Sequence, residues 1–286
     1  MINLSFGNFC FKIKSMIVYP NAKINIGLNV IEYLPDSYHS IETVFYPIGL
    51  YDTLEIKPIE NDKPVFSTSG LAIEGNPENN LVFKAYQLLH NSYHIPPVKI
   101  MLDKKIPSAA GLGGGSADAA FTLKALNQLF NLNLSTQELE SLAVKLGADC
   151  AFFIHNQPGF AIGKGNIFKP ISLNLKNFYL LLVKPPISVS TAEAYSLVKV
   201  RKPEISLEEN IYKPITEWKN LIKNDFEDPL FERYPILANI KENLYKMGAL
   251  YASMSGSGST IYGIFDEKPE KNKNFRNFFL SLIQLA

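Results

Sequence analysis

A chain of 286 residues, 47% hydrophobic and 19% charged, with 28 basic against 27 acidic side chains, is globular in composition, long enough for about two ordinary domains and close to neutral. That balance excludes a general nucleic-acid or anionic-membrane surface, which needs a strong basic excess. Cys10 and Cys150 are too few for a disulfide framework or a zinc site and fit a reducing cytoplasm, and no apolar run reaches the roughly 18 residues of a transmembrane helix.

Residues 1–15 carry their only charges, Lys12 and Lys14, at the wrong end for a signal peptide; they are expected to be an extension or misassigned start that adds nothing to the chemistry. A short strand over 17–19 stops at Pro20, and 22–31 resumes as a strand. Its alternation sets Ile24, Ile26, Leu28 and Val30 on one face against Lys23, Asn25, Gly27 and Asn29 on the other, either a polar wall or a solvated sheet face. A turn at Pro35-Asp36-Ser37 leads through Tyr38 and His39 into a strand over 41–50. A strand over 53–58 and a loop-rich stretch over 62–79 follow. Leu81, Val82, Ala85, Leu88 and Leu89 then predict a helix over 81–93, and 98–104 a strand.

That strand delivers the chain into IPSAAGLGGGSADAA, 106–120. Gly111, Gly113, Gly114 and Gly115 let consecutive N–H groups turn toward one point, which suits an anion, although a glycine cluster before a helix is often only a tight connection. Ser116 is placed as N-cap with Asp118 in the first turn of a helix running to about 131, whose dipole adds positive charge to the same concavity. No Lys-Ser or Lys-Thr pair follows, so this is not a Walker A loop, and no acidic residue stands about 20 residues on to clamp a dinucleotide ribose. Ser135 and Glu138 form a capping box opening a helix to 146; 147–150 break it, and 151–154 begin another apolar run.

In the second half, 178–183 predicts a strand, 191–200 a helix capped by Ser190 or Thr191, and 202–224 short helices around Trp218. A helix over 234–247 ends at Gly248, strands over 249–254 and 261–265 flank the SGSGST turn at 255–260, and a closing helix is expected over 275–285.

Three separated pieces, PNAKINIGLNV, IPSAAGLGGGSADAA and SMSGSGSTIYGIF, together resemble the three signature motifs of the GHMP kinases. PDSYHSIETVF, LGADCAFFI and PPISVSTAEAY are similar to the branch of that superfamily acting on cytidine diphosphate methylerythritol in the non-mevalonate isoprenoid pathway. Ser37 stands where that branch commonly has glycine. The resemblance implies an α+β, two-domain GHMP kinase fold. It comprises an extension over 1–15, a ribosomal protein S5 domain 2-like ATP-binding domain over 16–160 and a ferredoxin-like C-terminal domain over 161–286.

It further implies that ATP and Mg2+ are used to phosphorylate the tertiary C2 hydroxyl of the methylerythritol unit, in a cytoplasmic monomer or homodimer with neither nucleic-acid nor membrane partners. Pro107, Ser108, Ala109, Ala110, Gly111, Leu112, Gly113, Gly114, Gly115, Ser116 and Ala117 would hold ATP, with Gly256 and Gly258 supporting them. Asp149 maps onto the family's catalytic aspartate and Lys23 onto its partner lysine, which would keep the carboxylate ionised. Taken singly, Lys23 reads as a solvated strand lysine and Asp149 as a helix cap. Tyr38 and His39 correspond to the cytosine side, and Asn25, Thr191 and Tyr195 are further substrate contacts, Thr191 and Tyr195 serving equally well as a helix cap and a core ring. His90, His94 and His155 are expected to be structural or exposed, and Cys150 a packed thiol. A homoserine or mevalonate type of GHMP kinase would share the three motifs, as would a catalytically silent ligand-binding member, against which the retained Lys23 and Asp149 speak.

Overall fold

The computed structural model describes residues 15–36, 38–73, 75–270 and 273–286. The expected extension, apart from Ser15, and the unusual Ser37 lie outside the described residues. Among them, three four-stranded sheets carry the fold. The first has the order β1 (Met16–Val18), β4 (Thr53–Pro58), β6 (Val98–Lys104), β5 (Val65–Gly70), with β5 parallel to β6 and the other pairs antiparallel. Helices α1 (Leu81–Tyr93), α2 (Gly114–Leu129), α3 (Thr136–Leu146) and α4 (Cys150–His155) share one core with it. The helical period read from the sequence places Val82, Ala85 and Leu89 in that core, and Asn80 caps α1 by accepting the Val82 N–H at 2.9 Å. The Ser135–Glu138 capping box opens α3 as expected.

The second sheet joins β2 (Asn21–Tyr33), β3 (His39–Tyr51), β7 (Gly159–Ile162) and β8 (Ile167–Pro170), all antiparallel. Both faces of β3 are used. Phe45 enters the core beneath α2 and α4, whereas Val44, Tyr46 and Ile48 face a second core built with the third sheet. Burial on both sides means that Lys23 and Asn25 do not lie on a solvated face: they are 3% and 2% exposed.

The third sheet runs β10 (Tyr251–Met254), β11 (Ile261–Phe265), β9 (Tyr179–Lys184), β12 (Phe279–Gln284), all antiparallel. Two strands in parallel orientation, β9 and β10, with β11 paired between β9 and β10 and β12 on the outer edge, give the ferredoxin-like order. Between β9 and β10 lie α5 (Thr191–Leu197), α6 (Leu207–Asn210), α7 (Trp218–Leu221), α8 (Glu227–Arg233) and α9 (Pro235–Lys246); Leu230, Leu237, Ile240 and Leu244 of α8 and α9 pack on the sheet.

Two expected elements are corrected, and the apolar run left unassigned after Asp149 takes a structure. Residues 275–285 do not close the chain as a helix: 279–284 form edge strand β12, where Phe279, Ser281 and Ile283 are half-buried and Leu280, Leu282 and Gln284 exposed, a period of two supplied by the free edge of β9. Helix α2 starts at Gly114, and Gly113, at φ 70°, is its N-cap without a side-chain bond, so Ser116 lies inside the helix. The apolar run after Asp149 is helix α4.

Candidate active site

Four segments distant in sequence meet at a cleft of about 810 Å³: the start of β2, the loop before α2, the start of α4, and the turn between β10 and β11. The loop is held from beneath. The Lys23 N–H donates to Leu112 O at 3.0 Å, the Thr260 N–H to Ala110 O at 3.3 Å, and Ser255 Oγ to Gly111 O at 2.7 Å while accepting the Asn25 N–H at 3.1 Å. Gly111 has φ 72°, and a Cβ there would lie 1.9 Å from the Ser255 carbonyl oxygen. The glycine is therefore required twice, by the left-handed backbone and by the close approach of the third motif.

Asn224, buried and unnoticed in the sequence, donates from Nδ2 to Met254 O and Gly256 O, both at 2.8 Å, and so fixes the turn that carries Gly256 and Gly258. No local pattern distinguishes it; only the bridge from residue 224 back to β10 reveals its use.

Lys23 Nζ donates to Asn25 Oδ1 at 2.5 Å and to Gly111 O at 3.1 Å, and lies 3.5 Å from Asp149 Oδ2. Burial holds the Lys23 ammonium below its ordinary pKa, and the charge and hydrogen bonding of Asp149 work against that shift. Asp149 occupies the N-cap position of α4 yet makes no side-chain cap hydrogen bond, and its side chain keeps 36% exposure toward the cleft. The helix-cap role it could have had is thus not taken up. A carboxylate is left facing open space beside an ammonium, an arrangement able to accept a proton from an incoming hydroxyl.

The opposite wall is aromatic. The rings of His39 and Tyr195 stack with centroids 4.7 Å apart, Tyr33 leans on His39, and Phe226 meets Tyr195 edge-on. His39 Nε2 is buried without a hydrogen-bond partner among the described residues. Burial pushes the Tyr195 hydroxyl up to about 12, with the Asp149 charge adding to it. Tyr38 is exposed, with Lys164 Nζ 4.2 Å from its ring centroid; Lys164 also pairs with Asp36 and lines the cleft, a position the sequence did not single out. Ser190, not Thr191, caps α5 by accepting the Glu193 N–H at 3.1 Å, which frees the Thr191 hydroxyl to lie 3.4 Å from Ser257 Oγ.

Of the residues selected from sequence, Lys23, Asn25, Tyr38, His39, Asp149, Thr191, Tyr195, Gly256, Gly258 and 107–116 line this cleft; Ala117 is fully buried and does not. His90 Nδ1 lies 2.6 Å from Ile95 O, His94 ends α1 in the left-handed region, and His155 pairs with Glu140. The Cys150 thiol is buried, which pushes its pKa up to about 11, so it is held protonated at neutral pH. A second cavity of about 440 Å³, with Phe66 and Ile73 in its wall, shares Leu81, Pro107, Ser108 and Gly115 with the cleft.

Comparison with known proteins gives the same motifs a family. The GHMP kinases N terminal domain matches residues 80–157 and the GHMP kinases C terminal domain matches 207–278, together just over half of the chain. The chain is 55% identical over 260 residues to a 4-diphosphocytidyl-2-C-methyl-D-erythritol kinase of Bacteroides fragilis, covering 90% of this chain and 95% of that one. It is 54% identical over 274 residues to the enzyme of that name from Parabacteroides distasonis, covering 95% and 100%. A crystal structure of 4-(cytidine 5'-diphospho)-2C-methyl-D-erythritol kinase superposes with a TM-score of 0.76 at 30% identity, covering 88% of this chain and 91% of that one. The chain belongs to the GHMP kinases and, within them, to the 4-diphosphocytidyl-2-C-methyl-D-erythritol kinase family.

Proposed function

We propose that the chain transfers the γ-phosphoryl group of ATP to the C2 hydroxyl of 4-diphosphocytidyl-2-C-methyl-D-erythritol. The observation that carries this is the sharing of one cleft by a glycine-rich cradle, an exposed carboxylate beside a buried ammonium, and an aromatic wall suited to a nucleobase. Homoserine and mevalonate present no aromatic base to such a wall, which favours the cytidyl substrate over theirs.

Phosphoryl transfer has a loose transition state, so catalysis rests on positioning and on stabilising charge at the equatorial oxygens. Backbone N–H groups of 108–116, which include the start of α2, receive the ATP phosphates, and the adjoining cavity offers Phe66, Ile73 and Leu81 to the nucleoside. Asp149 takes the proton of the C2 hydroxyl as that oxygen attacks the γ-phosphorus and the bond from that phosphorus to the bridging oxygen breaks, releasing ADP; Lys23 orients Asp149 and is itself oriented by Asn25 and Gly111. His39 and Tyr195 receive the cytosine, with Tyr38 and Thr191 bordering it.

The described residues contain no cluster of three or more His, Cys, Asp or Glu side chains able to hold a metal, so the fit is to an Mg2+ ion that arrives on the nucleotide. Such an ion, when bound, would supply positive charge against the phosphates. The same proposal includes an ATP-binding part to about residue 160, with the β7–β8 hairpin attached to it through β3, and a cytoplasmic location. No helix among the described residues is long and apolar enough to cross a membrane.

The test is turnover with ATP and the cytidyl substrate against homoserine and mevalonate as competing acceptors. Phosphorylation of the cytidyl substrate alone is expected; transfer to another alcohol with none to the cytidyl compound refutes the assignment.

A further inference from the structure

Beneath the phosphate loop lies a second lysine–carboxylate cluster that the transfer itself does not use. Lys104, the last residue of β6, is buried, and its ammonium donates to Asp118 Oδ2 at 2.7 Å and to Asp52 Oδ2. Asp52, fully buried between β3 and β4, accepts with Oδ1 the N–H groups of Lys105 at 2.6 Å and Ile106 at 2.9 Å, the residues that lead into the loop. Asp118 stands on α2 just beyond the exit of the loop. One ammonium and two carboxylates therefore hold both ends of the loop. A Cβ on Gly114 would come within 3.2 Å of Lys104 Nζ, with the Ile106 side chain nearer still, so the cluster lies directly against the first residue of α2.

The two carboxylates are not equivalent. Both oxygens of Asp52 accept hydrogen bonds, whereas Asp118 Oδ1 is buried with no partner among the described residues, an unfavourable place for an ionised oxygen. Burial pushes the Asp118 carboxyl up to about 7, with Lys104 pulling it down and Asp52 pushing it further up. Lys104 and Asp52 are the charged groups acting on it. On the neighbouring elements, Asp103 is bonded by Ser69, Lys23 faces Asp149, His155 pairs with Glu140, and Glu55, Lys57, Lys84 and Lys99 make no hydrogen bond to Asp118; β1 and β5 carry no charge. Among the described residues lining the adjoining cavity, Lys104 and Asp118 are the charged ones.

We propose that Asp52, Lys104 and Asp118 are positioning residues for the phosphate loop, and that the charge on Asp118 sets the affinity for ATP, the neutral form binding more tightly. This rests on the loop being the ATP cradle. With Asp118 neutral, the Lys104 and Asp52 charges cancel; with Asp118 ionised, a net negative charge lies under a site that receives a polyanion, in a region of low dielectric. Linkage requires the converse, that bound ATP raises the proton affinity of Asp118 by the same factor.

The test is the KM for ATP between pH 6 and pH 8 in the wild type and in Asp118→Asn, with the cytidyl substrate saturating. The wild-type KM is expected to rise about fivefold more over this interval than that of the variant, the low end of the usual range for coupled sites, with kcat moving less than KM. Ionisation of the nucleotide is common to both proteins and cancels. Parallel KM profiles in two active proteins overturn the proposal and leave the cradle assignment standing, while a wild type that binds no ATP at any pH overturns both. Should the variant not fold, the carbon-13 carboxyl resonance of Asp118 in the wild type decides. Titration near pH 7, moving upward with ATP, supports the proposal; a carboxyl already ionised throughout, or one indifferent to ATP, overturns it.

Discussion

Lys23 with Asp149, and Lys104 with Asp52 and Asp118, are chemically similar pairings that the fold treats in opposite ways. Both lysines are buried, at 3% and 4% exposure, but Asp149 keeps about a third of its side chain open to the cleft whereas Asp52 and Asp118 are sealed. At the first site the contact is loose, 3.5 Å, and the carboxylate makes no cap hydrogen bond with the helix it precedes; at the second, Lys104 is shared between two carboxylates in contact with it. A carboxylate that must meet a substrate hydroxyl needs an open face, and one that holds a backbone loop needs closed geometry. Exposure of the acid, more than the presence of the pair, separates chemistry from positioning.

The largest effect expected of this contrast is on turnover. Asp149→Asn should lower kcat by about 10²–10⁴-fold while leaving the KM for ATP and the melting temperature close to wild type, measured by steady-state kinetics and calorimetry. A melting temperature that fell steeply would erase the distinction between the sites. Lys104→Met should do the reverse in stability, costing about 3–5 kcal/mol in denaturant unfolding because two buried carboxylates lose their shared cation. A variant as stable as wild type would show that the sealed cluster holds nothing.

Smaller changes sharpen the same contrast. His39→Ala should raise the KM for the cytidyl substrate about tenfold, the scale of one lost base-stacking contact, with the KM for ATP unmoved; equal effects on both substrates would place His39 outside a dedicated base site. The smallest effect concerns pH and stability. The folded-state pKa of Asp118 lies above its ordinary value, so the native state binds the extra proton and its stability declines as pH rises from about 4 through about 7. The melting temperature of Asp118→Asn relative to wild type should therefore increase between pH 5 and pH 8; a constant difference would mean that Asp118 does not titrate in that window.

Much of the architecture could be read from local patterns. Helix α1 and strand β6 each carry one period that points one face toward a core, the capping box of α3 is a local signal, and β9 is a continuous apolar run buried on both faces. Residues 275–285 failed because NFFLSLIQL is apolar at both periods, and only the vacant edge of β9 selects the strand. Ser116 lies inside α2 and not at its cap because Gly113 starts the helix from a left-handed conformation that needs no side chain. In the cleft, Asn224 and Lys164 went unread since each serves through a partner far along the chain, the Gly256 turn for one and Asp36 with Tyr38 for the other.

By itself the sequence determined the glycine cluster and the order of the three motifs, because these depend on residue type and short spacing, while Lys23 and Asp149 stood out only through the resemblance to the GHMP kinases. Tertiary structure decided which charges meet and which remain open. Asp149 makes no cap hydrogen bond and is exposed beside Lys23, while Asp118, which the sequence offers only as a first-turn acid, is closed over Lys104 with one oxygen unpaired among the described residues. Periodicity says which face of an element seeks burial, but the pairing of charges on those faces depends on which elements pack together, and their partners lie far apart in the chain.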